Sequence, residues 1–272
     1  MSVQTEIDRI ITAVGAAYDA VEAKGGTAPA AQTLEGLAGA ISGIKSAPTT
    51  PYIEATYVMV SGGIARPRNH YIRHAKLYNH TAIYRYEFAG QGRLESLDFS
   101  DVSNNITAIE SWAFNQALVD GLVLPNTIRM VGQDCFNSAY IATLTVPPLV
   151  TVLPSSAFAY SEPVYNSATG EELPINIILP QNLAKIDSRC FEGALIKQIT
   201  IPDTVTEIGE NAFYGCYQLA SITCLAATPP ALGTYAFSSD TAGFTIKVPA
   251  ASVAAYKAAD GWKDYASYIV AM

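Results

Sequence analysis

The chain holds three histidines, His70, His74 and His80, all within one short stretch. On a helix, His70 and His74 would share one face, and two imidazoles so placed could hold a metal ion or exchange a proton near neutral pH. The stretch instead reads as extended, with apolar and polar residues alternating, and nothing acidic lies close in sequence to orient a ring. The expectation is exposed or hydrogen-bonding histidines, with a metal at this cluster left open. Carboxylates such as Asp98, Asp120, Asp134, Asp187 and Asp203 fall mainly where turns are expected, since Asp bonds readily to its own backbone. A glycosidase pair would meet only in space and has no motif behind it here. The four cysteines, Cys135, Cys190, Cys216 and Cys224, form no CxxC pair and no even framework. There is no Gly-rich phosphate loop, nucleophile elbow or metalloprotease helix motif. No catalytic residue, no cofactor and no metal ligand is therefore assigned, and the chain is read as a non-enzyme.

Aromatic residues offer a different chemistry, that of contact. Phe, Trp and Tyr make up 10% of the chain. Trp112, Tyr140, Tyr160, Tyr165, Tyr214, Tyr217 and Tyr235 stand apart from the periodic Phe positions described next. Tyr offers a flat face and a polar tip at small entropic cost, which suits protein or glycan recognition, while packing along an edge is the alternative.

The elements that must position these residues declare themselves by repetition. Eleven residues separate Pro from Phe four times, at Pro125–Phe136, Pro147–Phe158, Pro180–Phe191 and Pro202–Phe213. An apolar residue stands five before each Phe: Ile109, Val131, Leu153, Ile186, Ile208 and Leu232, with Ile83 before Phe88 fitting the same offset. A period near 22 residues is the size of one supersecondary unit stacked on the next. In "KQITIP" two buried isoleucines alternate with polar residues as in a half-buried strand, and Pro202 ends it because proline cannot donate to a ladder. One coil buries too little to stand alone, so the repeated residues must stack into a shared apolar column. Cys135 and Cys190 occupy the position of Ala113, Ala157, Ala212 and Ala236, one before each Phe, and are read as small buried side chains.

"LIKQITIPDTVTEIGENAFYGC", residues 195–216, resembles the BspA-type leucine-rich repeat almost throughout, and Cys216 stands at the family's own Cys position. The resemblance covers about residues 92–272, and "IKVPAASVAAYKAADGWKDYASYIVAM" is similar to that family's terminal cap. It implies a solenoid with short parallel strands; with the amino-terminal helical segment and strand-rich linker read from the residues before it, the expected fold class is α+β. Four segments are expected: 1–48 helical, 49–91 strand-rich linker and cap, 92–243 solenoid, and 244–272 terminal cap. The first unit and "LAATPPALGTYAF" depart from the pattern, as end units do. The larger departure is "YSEPVYNSATGEELP", residues 160–174, which stretches one Phe interval to 33 and reads as a loop or small hairpin turning at Gly170.

Residues 5–24 carry Ile7, Ile10, Val14, Ala17 and Val21 at three- and four-residue steps, and Leu34, Leu37, Ile41 and Ile44 resume after Gly25 and Gly26. The stripe predicts either a hairpin folded on its own domain or an oligomeriser, with a homotrimer favoured by Ile at both seam positions. Ile7, Ile10, Val14, Val21, Leu37 and Ile41 are its candidate contact residues. This segment resembles those near the start of predicted tail-fibre proteins of phages infecting Gram-positive bacteria.

A net charge of −8 with 16 Lys and Arg argues against nucleic acid and anionic membranes, whose attraction depends on basic side chains. No signal-peptide pattern and no membrane-spanning run are present, so neither secretion by a leader nor membrane insertion is expected. Together with the resemblances, this implies a phage tail-fibre or receptor-binding protein in the virion, made in the host cytoplasm, bound to other tail proteins and to a bacterial surface glycan or protein. The other reading is a BspA-like surface adhesin or interaction module. Outward strand positions Val123, Thr145, Ile178, Thr200 and Lys247 are the candidate contact ladder, joined by Tyr160, Tyr165 and Glu171 around the insertion. A tolerated loop is the competing reading of that insertion.

Overall fold

The computed structural model describes residues 52–59, 70–92, 94, 96–101, 104–119, 121–165, 169–237 and 243–272. The chain divides into two compact units, Met1–Pro51 and Tyr52–Met272. The helical stripe, its oligomerisation residues and its tail-fibre resemblance lie outside the described residues. Within the second unit strands dominate, and Val253–Ala258 is the single α-helix among the described residues. The parallel-strand solenoid is therefore present, while the helical half of the α+β expectation falls on residues not described.

The unit opens with strands Tyr52–Met59 and His70–Tyr78 paired antiparallel, and the second of these runs parallel to Ser96–Asp98. From Ala82 onward every coil repeats one plan. Short strands following the apolar column form two parallel stacks, Ala82–Ile83 with Ala108–Ile109 and Met130–Val131, then Val152–Leu153 with Lys185–Ile186, Glu207–Ile208 and Ala231–Leu232. A turn then drives Phe inward. Seven rings stack in order from Phe88 to Phe237, at centroid separations of 5.5, 5.1, 5.2, 5.2, 5.0 and 5.8 Å. The spacing follows from the backbone, because neighbouring coils bonded as parallel strands sit about 4.8 Å apart. Each Phe N–H donates to the carbonyl just before the next Phe, as in Phe136 to Ala157 and Phe191 to Ala212, both at 2.8–2.9 Å. Ring column and hydrogen-bond ladder thus impose one pitch.

The turns carry a constraint that the residue types hide. Two residues before each Phe, Tyr86, Trp112, Asp134, Ser156, Arg189, Asn211 and Tyr235 all have positive φ; so do Gly90, Gln116, Ser138, Tyr160, Gly193 and Gly215, two residues after. Left-handed backbone costs about 1–2 kcal/mol at a non-glycine residue. The inter-coil hydrogen bonds made at these turns offset that strain, for example Ser138 N–H to the Ala159 carbonyl at 2.8 Å.

The column ends against the terminal cap, where Phe237 meets Trp262 at 5.6 Å and Tyr265 edge-on at 5.2 Å. Trp262 Nε1–H donates to the Pro230 carbonyl and Tyr256 O–H to that of Ala226, so both buried polar tips are satisfied.

All four cysteines are free and buried beside the column. Burial pushes the Cys216 and Cys224 thiols up to about 12 and those of Cys135 and Cys190 well above their ordinary value. Since the thiolate is the nucleophile, a thiol-specific reagent at pH 8 is expected to label none of them in the folded chain and all four in denaturant. Rapid labelling of even one under native conditions would show that its coil opens.

Candidate functional site

The histidines do not assemble a site. His74 Nδ1 lies 2.9 Å from Ser96 Oγ, and the His70 side chain lies outside the described residues. His80 corrects the expectation that no carboxylate lies close enough to orient a ring. It is 1% exposed, with Nε2 2.8 Å from Glu87 Oε1 and Nδ1 2.9 Å from the Tyr78 carbonyl. Glu87 comes back to it because the first coil folds over, and its other oxygen accepts the Tyr84 N–H. Asn104 closes the arrangement, accepting the His80 N–H and donating to the Leu77 carbonyl. This is a buried staple at the entrance to the array. Among the described residues no group of three His, Cys, Asp or Glu is placed to hold a metal.

The carboxylates are likewise dispersed. Hydrogen bonds from Ser100 hold the Asp98 carboxyl below its usual range, and burial raises that of Asp134, which accepts from Asn137. Asp187 accepts from the Ser188 N–H and faces Lys185 at 3.7 Å.

The structure gives more at the outward sheet. Strand Thr143–Thr145 pairs with Asn176–Ile178, and strands Gln198–Ile201, Ser221–Cys224, Thr245–Val248 and Ile269–Ala271 pair in series. In register, Thr145 faces Ile178, and Thr200, Thr223 and Lys247 line up. Four of the five candidate ladder residues therefore occupy outward strand positions. Val123 is 80% exposed but belongs to no strand.

Between Asn176–Ile178 and Gln198–Ile201 the sheet is split. The two strands come from consecutive coils, yet they belong to separate sheets, joined before the split, among the described residues, by a bridge between Ile175 and Ile196. Over the split lies a groove of about 310 Å³, whose lining includes the polar Asn176, Gln198, Thr200, Ser221, Thr223 and Lys247 and apolar residues such as Ile178. It continues into a wider depression of about 810 Å³ that shares Asn176 and Gln198 and is bounded by Thr143, Leu173 and Lys197. Among the described residues no His, Cys, Asp or Glu lines either part.

The insertion sits at this split. Glu162–Tyr165 and Glu172–Leu173 form an antiparallel hairpin, with Gly170 at φ 70° in its turn, and Leu173 forms part of the depression's wall. Glu172 is 3.6 Å from Lys197 and ties the hairpin to the next coil. Tyr165 and Glu171 are exposed on the hairpin without lining the groove. Tyr160 is not part of the insertion. It holds a left-handed turn position, and its ring lies where a Cβ on Gly193 would stand, at 2.6 Å. Burial, with Glu192 nearby, raises its phenol. Tyr160 is nonetheless exposed, whereas Ser161 is buried and donates to the Phe158 carbonyl at 2.7 Å.

Sequence reasoning missed Asn176, Gln198, Ser221 and Thr223. Alternation in "SITC" was the available signal for the last two, but no proline ends that strand, so the rule built on Pro passed over it.

No curated protein sequence matches the chain. Among solved structures it is similar to a leucine-rich repeat protein from Bacteroides ovatus, at 19% identity over 72% of this chain and 70% of that one, with a TM-score of 0.29. It is also similar to the pneumococcal vaccine antigen PcpA, at 16% identity, 69% and 63% coverage and a TM-score of 0.27. A leucine rich cell surface protein from Faecalibacterium prausnitzii is similar at 17% identity, with 58% of each chain covered and a TM-score of 0.20. The chain thus spans less than two thirds of the length of the latter two. Six copies of the BspA type leucine rich repeat region match residues 70–167 and 170–256, and the chain belongs to that family.

Proposed function

We propose that the chain is a non-enzymatic recognition module, which docks through the outward face of its sheet onto a surface glycan or protein. The observation that carries this reading is the split sheet. A regular array is interrupted where the single long insertion enters, and the interruption coincides with a groove walled by hydrogen-bonding side chains. Loops and insertions on a fixed scaffold are where partners are met.

Adhesion at a cell surface is the setting that asks least beyond the solenoid. A virion tail fibre is the second setting, favoured by the seam residues of segment 1–48, which would join three copies and attach to other tail proteins. Mass spectrometry of purified virions separates the two.

Deleting residues 164–174 tests the module itself. This removes eleven residues, restores the eleven-residue interval from Phe158 to Pro180 and spares Tyr160 and Ser161. The full chain, fluorescently labelled, is expected to bind bacterial cells saturably. The deletion variant, folded by circular dichroism, should lose about tenfold or more in affinity, the scale of a hydrogen-bonded contact or two. Undiminished binding would move recognition off this groove.

A further inference from the structure

We propose that the split between strands Asn176–Ile178 and Gln198–Ile201 binds an acidic glycan, with Lys247 meeting its anionic group. The inference deepens the recognition reading above by naming the ligand class.

The lining is chemically selective. Asn176 and Gln198 present carboxamides, and Thr200, Ser221 and Thr223 present hydroxyls. Each of these groups both donates and accepts, as sugar hydroxyls do, so a polyhydroxylated ligand can satisfy them in many orientations. Ile178, 46% exposed in the lining, offers an apolar surface for the C–H face of a sugar ring. In a chain of net charge −8, the described residues of this lining include no carboxylate. Among the described residues its one charged group is Lys247, which has no ion-pair partner among them, whereas Lys197 in the adjoining depression is held by Glu172. An unneutralised ammonium amid neutral hydrogen-bonding groups complements a sparse anionic charge on a hydroxyl-rich chain.

The backbone points the same way. Strands Asn176–Ile178 and Gln198–Ile201 are not paired with each other among the described residues, although each is paired on its far side. Their facing N–H and C=O groups need partners from outside the sheet. A peptide strand could not supply them by insertion, because it would need about twice the ~4.8 Å strand spacing, and Cα atoms of the two strands come within 8 Å of each other. Small hydroxyl groups reaching in from above meet the need without parting the strands. Nucleic acid is disfavoured, since one lysine neutralises too few phosphates to hold a polyanion.

Titrations of the full chain use three oligosaccharide-sized probes: tetragalacturonic acid, a glycerol-phosphate tetramer and neutral cellotetraose. Saturable binding of at least one acidic probe is expected, and the two acidic arms report whether carboxylate or phosphate is preferred. Lys247→Gln, at an exposed position, should leave the thermal midpoint in place and weaken the acidic probe about tenfold, as loss of a charge-assisted hydrogen bond does. Cellotetraose affinity should not change. Thr200→Val should weaken all probes that bind. Failure of both acidic probes to bind, equal affinity for acidic and neutral probes, or an unchanged Lys247→Gln variant would each overturn the proposal. Cell binding that survives such a result would leave the recognition module standing and remove only its acidic-glycan ligand. Saturable binding of extended peptides alone would assign the groove to a protein partner instead.

Discussion

Phe191→Ala is expected to destabilise the chain by about 3–5 kcal/mol, the cost of truncating a large ring where the surroundings cannot collapse. Phe191 is fully buried between Phe158 at 5.2 Å and Phe213 at 5.0 Å, nearly parallel to both. Neither neighbour can slide into the vacancy. Each is held by its own inter-coil hydrogen bond, Phe158 N–H to the Cys190 carbonyl and Phe213 N–H to that of Ala236. The ring also lies in the coil whose strand Asn176–Ile178 forms one edge of the split, where one strand pairing is already missing. Because stability in a repeat array is a sum of unit and nearest-neighbour terms, the weakened junction should break cooperativity. Urea denaturation followed by tyrosine and tryptophan fluorescence should show an earlier midpoint and two transitions in place of one. A single transition with an unchanged midpoint would mean that the rings are neighbours without being mutual supports.

Gly209→Ala is the second large effect. A Cβ there would lie 2.5 Å from Ser188 N, 2.7 Å from Asp187 C and 2.9 Å from Ser188 Cα. All three are backbone atoms of the preceding coil, so no side chain can turn aside. The coils would have to separate locally, against the pairings of Ile186 with Ile208 and of Ile208 with Leu232. The expected loss is about 3 kcal/mol, at the upper end for overpacking. Gly92→Ala is the matched control, since a Cβ there meets nothing within 4 Å. It should be neutral or stabilising by about 0.4–1 kcal/mol through the unfolded chain. Equal thermal midpoints for the two variants would refute the close approach at Gly209.

What could be read from the sequence is what repetition writes in side-chain type. The Phe column, the small residue before each Phe from Phe114 onward and the hairpin turn at Gly170 all follow from size, polarity or proline placement, and the structure has them. The left-handed turns were illegible because Tyr86, Trp112, Asp134 and Arg189 share a backbone angle and no side-chain property. Only Gly90, Gly193 and Gly215 hinted at it. The His80–Glu87 contact was missed because the reading looked for a carboxylate within a turn or two, and a coil's first bend spans seven residues. The candidate groove was half legible. Ile178, Thr200 and Lys247 followed from counting back from proline, but a split between two strands is a matter of missing hydrogen bonds, which no residue type encodes.

The single pitch shared by rings and hydrogen bonds bears on how such a chain can change over generations. A tandem duplication of one 22-residue unit adds one ring, one small residue and one strand at each face, all already in step with their neighbours. Unit number can then drift with little penalty, so descendants of one ancestor would differ in length by whole coils more readily than by single residues. The groove behaves differently, because its walls come from consecutive coils around one hairpin. Duplications before Phe136 would leave those walls intact and carry the site farther along the array from its first coil. The groove's position along the array would thereby become a quantity that selection adjusts separately from what the groove holds.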